Sequence, residues 1–438
     1  MAHLHPFRGY RYNTNIVGDL NAVVTQPYDK IPLELQKEYY ARSPYSAARI
    51  TRSMEKVDDS ETGYPEAGRL LQEWLDKGVL SQEAAPTIYA YFQHYEVEGE
   101  KKVQRGFIAL LEVKYSGGGI LPHEKTMAEP KMDRLRLMRS TESNDDLIYT
   151  LYTDEKLVIN RILVEKTAAR QPDIEVKDDY GVRHRVWAIS DAKIVRKIQD
   201  AMVPEELFIA DGHHRFETSV NFMKECRAKG WKPAGPESFD KRLVACFNSA
   251  DQGTTILPTH RLVRNLAHFA SASLLHEFEQ YFGVEQADSA EDLWERMKSG
   301  RDSHVFGFYP ADKRRHYLLR LKEEAKVDPL MLSHGEAYRH LDVSILHTLI
   351  LDHLLGIDDK SLVAQEHVDY ARDRDLCLKQ VNQKLHQAAF FLNPTTVEQV
   401  QRVALLGERM PQKSTDFYPK LLTGLVFMKM LIAKPDYP

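Results

Sequence analysis

Phe208-Ile-Ala-Asp-Gly-His-His-Arg215 sets three apolar residues directly against Asp-Gly, two imidazoles and a guanidinium. The apolar run reads as a short buried strand, Gly212 as a tight turn, and 216–229 as a helix. At a strand-to-helix junction polar groups face outward, where backbone N–H groups and the helix dipole favour an anion. His213, His214 and Arg215 add donors at the same place. The stretch therefore predicts a phosphate or carboxylate site, with Asp211 left to orient a hydroxyl or a metal. A capping turn with Arg215 paired to a surface carboxylate would use the same residues. Two adjacent histidines and an arginine after Asp-Gly favour the site.

Outward from this junction, runs rich in β-branched and aromatic residues predict strands at 87–97, 105–115, 147–152, 183–189, 207–210, 242–248, 305–309 and 316–321. The first two suit a hairpin across Glu98-Gly99-Glu100. A Gly-rich loop at 116–119 leads toward Pro122-His123-Glu124. Helical spacing marks 31–43, 65–77, 134–142, 155–166, 191–202 and 216–229. Strands and helices alternate without segregation, which predicts an α+β core over 1–330. Beyond Asp328, helical patterns at 340–355, 361–369, 373–389 and 395–406 predict a mostly helical region over 331–438.

The chain has 438 residues, enough for two or three domains, and a net charge of −5. That balance argues against bulk attraction to nucleic acid or an anionic membrane. Cys226, Cys246 and Cys377 lie far apart with no CxxC, which argues against a zinc knuckle or redox dithiol. The N-terminus has no signal-like apolar stretch, and no apolar run approaches the roughly 20 residues of a membrane helix. A cytoplasmic location is expected.

Four further constellations carry chemistry. In Leu121-Pro-His-Glu-Lys-Thr126, Glu124 beside His123 can act as general base for a hydroxyl substrate. The stretch is not a zincin motif, because position 127 is Met. Thr126 capping a helix toward Glu129 is the structural alternative. After 242–248 come Asn248-Ser-Ala-Asp251 and Leu257-Pro-Thr-His-Arg261. Arg261 can clamp a phosphate in two-pronged fashion, and Asp251 can hold Mg²⁺, or both can sit in a solvated loop. Lys413-Ser414-Thr415 has phosphate-gripping residue types without the P-loop frame. It can fold over an active site or simply pack on the core. Finally, Arg8-Gly-Tyr-Arg-Tyr12 and Gln26-Pro-Tyr-Asp29 interleave aromatics and cations, as a stacked base would need. Equally, they can cover a core. His347 and His353 lie on an apolar helix face and read as core histidines.

Taken in order, Arg8–Tyr12, Pro27-Tyr28-Asp29, Pro122–Thr126, Ile209–Arg215, Leu257–Arg261 and Met410–Thr415 resemble a bacterial and archaeal family known as a domain of unknown function, sometimes labelled helix-turn-helix-containing. The resemblance spans nearly the whole chain. That family is in turn distantly similar to the ParB/sulfiredoxin-like nucleotide-binding fold, including the SerK free serine kinases. Asp211-Gly-His-His-Arg215 and His123-Glu124 carry this remoter likeness. It implies a mixed-sheet nucleotide-binding core with an inserted subdomain, and phosphoryl transfer from a nucleoside phosphate (ATP or ADP, with Mg²⁺) to free L-serine. Glu124 would be the base, with His123 and Asp211 beside it. His213, His214, Arg215, Arg261 and the segment Lys413, Ser414, Thr415 would hold the donor. A nucleotide-gated DNA-binding regulator is the second expectation, but 340–352 reads as core rather than as a basic recognition helix. A hydrolase with a metal on His123, Glu124, His213 and His214 is the third, and it lacks ligand spacing.

Overall fold

Glu98 and Gly99 both take positive φ (51° and 78°), the backbone a two-residue hairpin loop requires. They join the two longest strands of a mixed sheet, as the sequence led one to expect. The computed structural model describes residues 3–52, 63–114, 119–124, 126, 128–324 and 327–435. Apart from Gly119, the expected Gly-rich loop lies outside the described residues, as do Tyr115, Lys125 and Met127. The chain divides into two compact units. The first comprises residues 1–122, 126–255 and 419–438, and the second comprises 123–125 and 256–418.

In the first unit the sheet strands are β1 (Leu4–His5), β2 (Ile88–Val97), β3 (Glu100–Glu112), β4 (Ile120–Leu121), β5 (Ile148–Tyr152), β6 (Ile174–Lys177), β7 (Arg183–Ile189), β8 (Leu207–Asp211) and β9 (Lys241–Asn248). Their order is β4-β8-β5-β9-β3-β2-β7-β6, with β1 on β3. β8 runs parallel to β4 and β9 parallel to β5; the other pairs are antiparallel. The helices are α1 (Leu33–Arg42), α2 (Gly63–Asp76), α3 (Ala128–Thr141), α4 (Val158–Thr167), α5 (Ala192–Met202) and α6 (His213–Ala228). Alternate strand residues such as Ile88, Ala90, Phe92, Phe107 and Ala109 share one face. Ile159 and Leu163 of α4 pack there, with Ile194, Val195, Ile198 and Met202 of α5, spaced to form a single apolar stripe. Asp191 caps α5 by accepting from the Lys193 and Ile194 N–H groups.

Six antiparallel strands form the sheet of the second unit: β10 (His260–Val263), β11 (Phe282–Ala287), β12 (Val305–Pro310), β13 (His316–Leu321), β14 (Val368–Ala371) and β15 (Ala388–Phe391). Their order is β11-β13-β12-β15-β10-β14. Helices α7 (Ser271–Tyr281), α8 (Ala290–Ser299), α9 (Asp359–Ala364), α10 (Arg374–Asn382) and α11 (Val397–Leu405) accompany it. Leu293 and Met297 of α8 and Cys377 and Val381 of α10 share a core with strand residues Leu262, Val305, Ala389 and Phe391.

Mixed α and β structure is as expected, but the C-terminal half of the reading needs correction. A boundary at 330 would cut the second sheet, because β14 and β15 pair with β10 and β12. The expected helices at 361–369 and 373–389 end early and give way to those two strands. Gln365 (φ 53°) and Lys384 (φ 60°) turn the chain in left-handed backbone, a role usually marked by glycine. The segment 346–354 is a π-helix rather than an α-helix. Residues 419–438 return to the first unit, where Met428–Lys429 pairs with Ser143–Asn144. No helix among the described residues is long and apolar enough to cross a membrane.

Candidate functional site

A β-bulge builds the junction that the sequence singled out. Along β8, Ile209 pairs with Thr150 of β5, yet Asp211 pairs with Tyr149, so one extra residue sits between them. A bulge shifts the alternation by one, so a side chain that would have shared Ile209's apolar face is turned to the opposite one. There Lys420 Nζ donates to Asp211 Oδ2 at 2.9 Å, and Arg215 Nη2 lies 3.5 Å from Oδ1. Burial pushes the Asp211 carboxyl up, but Lys420 and Arg215 outweigh it and hold it well below the usual carboxylate range. Gly212 (φ 100°) then caps α6, which begins at His213, three residues earlier than expected. A Cβ at Gly212 would come within 3.1 Å of Arg215 Nε, so both backbone and space require glycine.

Arg215 belongs to a cluster the sequence did not reveal. Arg134 of α3, Arg215 of α6 and Arg242 of β9 are 7%, 6% and 3% exposed, and arginines are almost never this buried unless paired. They line a cavity of about 30 Å³ together with Ser143, Asp145, Asp146 and Thr218. Arg134 donates to Asp133 (2.8 Å) and to Thr51 O (2.9 Å), with its guanidinium 3.9 Å above the Tyr28 ring. Arg215 Nη1 donates to Leu147 O at 2.6 Å. Arg242 donates to Asp146 O at 2.7 Å and to Asn144 Oδ1, while its buried Nε has no hydrogen-bond partner among the described residues. Burial, reinforced by Arg215, pushes the Arg242 guanidinium down to about 10. Burial likewise raises the Asp145 carboxyl to about 6, against a 2.5 Å bond from Ser143 Oγ and with Asp146 adding to the rise. One donor without an acceptor, among three cations around a cavity, is chemistry suited to an anion's oxygen atoms.

His213 is buried and His214 half-buried on the first turn of α6. The Tyr28 ring expected to present itself to a ligand instead lies beneath Arg134, and Tyr12 is buried with its hydroxyl on Tyr45 O at 2.8 Å. Asp251, expected to hold Mg²⁺, accepts from Asn160 Nδ2 at 2.8 Å and pairs with Arg105 at 3.4 Å. Among the described residues no group of three or more His, Cys, Asp or Glu is placed to hold a metal ion. The four-residue His/Glu set expected for a hydrolase metal is thus not among such groups. Asp251 is committed to neutralising an arginine.

The remaining expected residues gather in the second unit. His123 is fully buried, and its Nε2 lies 3.0 Å from Thr415 Oγ1. The Met410 N–H donates to His123 O at 2.7 Å. Glu124 Oε1 accepts from the Lys413 N–H at 3.2 Å. Lys413 itself takes left-handed backbone (φ 57°), and its carbonyl accepts from Arg261 Nη2 at 3.1 Å. His123-Glu124, Arg261 and the Lys413–Thr415 segment are thus one assembly. Arg261, expected to clamp a phosphate, is 1% exposed. Its donors go to Thr259 O, His347 Nε2 and Lys413 O, so it works as an internal brace. Ser414 is also buried, donating to Pro411 O at 2.5 Å. Asp211, His213, His214 and Arg215 belong to the first unit, and His123, Glu124, Arg261 and Lys413 to Thr415 to the second.

No match is found among curated proteins. The chain is similar to a solved conserved hypothetical protein from Pyrococcus furiosus, with 12% identity, 71% of this chain and 90% of that one covered, and a TM-score of 0.34. It is similar to a free serine kinase in complex with AMP at 10% identity over 71% and 86% of the two chains, with a TM-score of 0.36. A C-terminally truncated SbnI from Staphylococcus aureus gives 12% identity, coverage of 72% and 85%, and a TM-score of 0.35. Overlaps at this level do not by themselves establish a common fold. The family model described as a protein of unknown function, DUF1015, matches residues 4–344, and the chain belongs to that family.

Proposed function

We propose that the protein is a small-molecule kinase that transfers a phosphoryl group from a nucleoside phosphate, ATP or ADP, to the hydroxyl of free L-serine. The observation that carries this reading is the cavity lined by three buried arginines, Arg134, Arg215 and Arg242, together with Asp145 and Asp146. Phosphoryl transfer is mostly positioning and charge stabilisation, and buried guanidinium groups supply both. The cavity volume is about what one water occupies in the liquid. It therefore suits the oxygens of a terminal phosphoryl group rather than a whole nucleotide. A general base, the role that the motif resemblance assigns to Glu124, takes the serine hydroxyl proton, the alkoxide oxygen bonds to the terminal phosphorus, and the bond from that phosphorus to the nucleotide breaks. The products are O-phosphoserine and the donor shortened by one phosphoryl group. The SerK-like, ParB/sulfiredoxin-type core implied by the motifs belongs to the same proposal.

Incubating the purified protein with Mg²⁺, each of ATP, ADP and pyrophosphate, and a pool of small hydroxyl metabolites tests it. Mass spectrometry should show serine gaining one phosphoryl group. A pool unchanged with every donor would reject the kinase reading. Arg215→Ala should weaken nucleotide binding by at least about tenfold, the scale of one lost charge-assisted contact. An unchanged dissociation constant in a folded variant would remove Arg215 from the donor site.

The Asp145 carboxyl gives the site a pH signature. Its folded-state value is raised to about 6, so it is ionised at pH 7.5 and neutral at pH 5. Sulfate stays a dianion over that range, so any change in its affinity reports on the protein. Sulfate binding should tighten about tenfold as the pH falls through 6, because one negative charge leaves the cavity wall. Asp145→Asn should bind tightly at both values and show no such step. A flat wild-type profile would contradict the assignment.

A further inference from the structure

The second unit holds a larger cavity of about 230 Å³, bordered by Pro411 and Gln412 beside the Lys413 N–H that Glu124 accepts from. Its lining includes His334, Tyr338, His347, Asp352, Asp359 and Tyr370, and apolar area comes from Met331, Leu362 and Pro411. Among the described residues no lysine or arginine lines it. His334 stacks on Tyr338 with ring centroids 3.9 Å apart and planes 15° from parallel. This presents a rigid aromatic wall at little cost in side-chain freedom. The π-helix Leu346–Leu354 supplies His347, Thr348 and Asp352. Such helices are rare and recur at functional sites.

Charge decides what this cavity takes. Asp352 and Asp359 are exposed and form no ion pair among the described residues. His347 adds no positive charge: burial holds its imidazole well below the usual range, with Arg261 adding to the effect. Its Nε2 accepts from Arg261. Arg261 also lies 5.2 Å from the Tyr370 ring centroid, so this ring already serves one cation. Two uncompensated carboxylates beside aromatic faces attract a cation and repel phosphate. They also disfavour a zwitterionic amino acid, whose carboxylate would meet Asp352 and Asp359. We propose that this cavity binds a small organic cation, an ammonium group on an aromatic or apolar body.

Three probes with one body and different charge test this on the full chain: phenethylamine, 2-phenylethanol and phenylacetate, titrated by calorimetry at low ionic strength. Phenethylamine should bind at least tenfold more tightly than 2-phenylethanol, and phenylacetate should not bind measurably. The double variant Asp352→Asn with Asp359→Asn should lose at least tenfold for the amine and keep its melting temperature. A control pair remote in sequence, Glu295→Gln with Asp302→Asn, should leave the amine unaffected. Equal binding of amine and alcohol, no binding of any probe, or equal losses in both double variants would overturn the proposal. The readout is binding alone, so failure of the kinase assay leaves it standing and success there does not support it.

Discussion

Lys420→Met is expected to cost about 3 kcal/mol of stability at pH 7, the scale on which removing one partner of a buried ion pair acts. Lys420 is 8% exposed and lies against Asp211, turned toward it by the β8 bulge. Without the ammonium group, a largely buried carboxylate keeps Arg215, at 3.5 Å, and the weaker field of Lys30. The sign of the pH dependence follows from Asp211's depressed folded-state value. Its stabilising contribution is fully present above the unfolded carboxyl value of about 4 and is lost as the pH falls toward the lower folded value. Wild type and Lys420→Met should therefore converge in acid. Adding Asp211→Asn to Lys420→Met should recover most of the loss, because the stranded charge goes with its partner. Urea unfolding of wild type, both single variants and the double variant at pH 7 and pH 3 measures this. A Lys420→Met variant within about 0.5 kcal/mol of wild type at pH 7 would show that solvent already screens the pair.

The same corner shows how far the sequence could be read. Three apolar residues followed by Asp-Gly announce a strand and a turn, because burial and left-handed backbone leave compositional marks. The turn at Gly212 and the hairpin at Glu98-Gly99 follow from that signal alone. The bulge leaves no such mark, since one extra residue in a ladder has no composition of its own. The sequence therefore placed Asp211 at the junction without showing which face it serves or that Lys420, over two hundred positions away, would meet it. Arg134 and Arg242 were hidden for a related reason. Nothing in the sequence separates them from the nearby cations Arg136, which is exposed, and Lys241, which is half-buried, and only tertiary packing brings them to Arg215. Asp145-Asp146, two acidic residues followed at once by an apolar strand, was the one hint that cations would be needed nearby. In the second unit, the expected helices ran on into the first residues of β14 and β15 because Gln365 and Lys384 turn the chain without glycine. A turn made by an ordinary residue is invisible to a reader who relies on punctuation. Arg261 fails differently. Its charge suggested a ligand, whereas burial has spent its donors on His347, Thr259 and Lys413.

Glu124→Gln should abolish phosphoryl transfer while leaving the fold and donor binding in place. The Glu124 Oε1 that accepts from the Lys413 N–H has a counterpart in glutamine, an amide oxygen of similar reach. The link between the His123-Glu124 segment and Lys413 should survive, and stability should change by no more than about 0.5 kcal/mol. What glutamine lacks is the ability to take a proton. General-base catalysis contributes about 100-fold to 10,000-fold, so turnover should fall by at least that range with an unchanged nucleotide dissociation constant. Thr415→Val provides the comparison. It removes one hydrogen-bond partner of the His123 ring without touching a carboxylate, so it should loosen the segment and lower the melting temperature while retaining part of the turnover. Undiminished turnover in Glu124→Gln would take Glu124 out of the base role. Parallel losses of melting temperature, binding and turnover in both variants would instead make Glu124 a brace for the Lys413–Thr415 segment, as Arg261 already is.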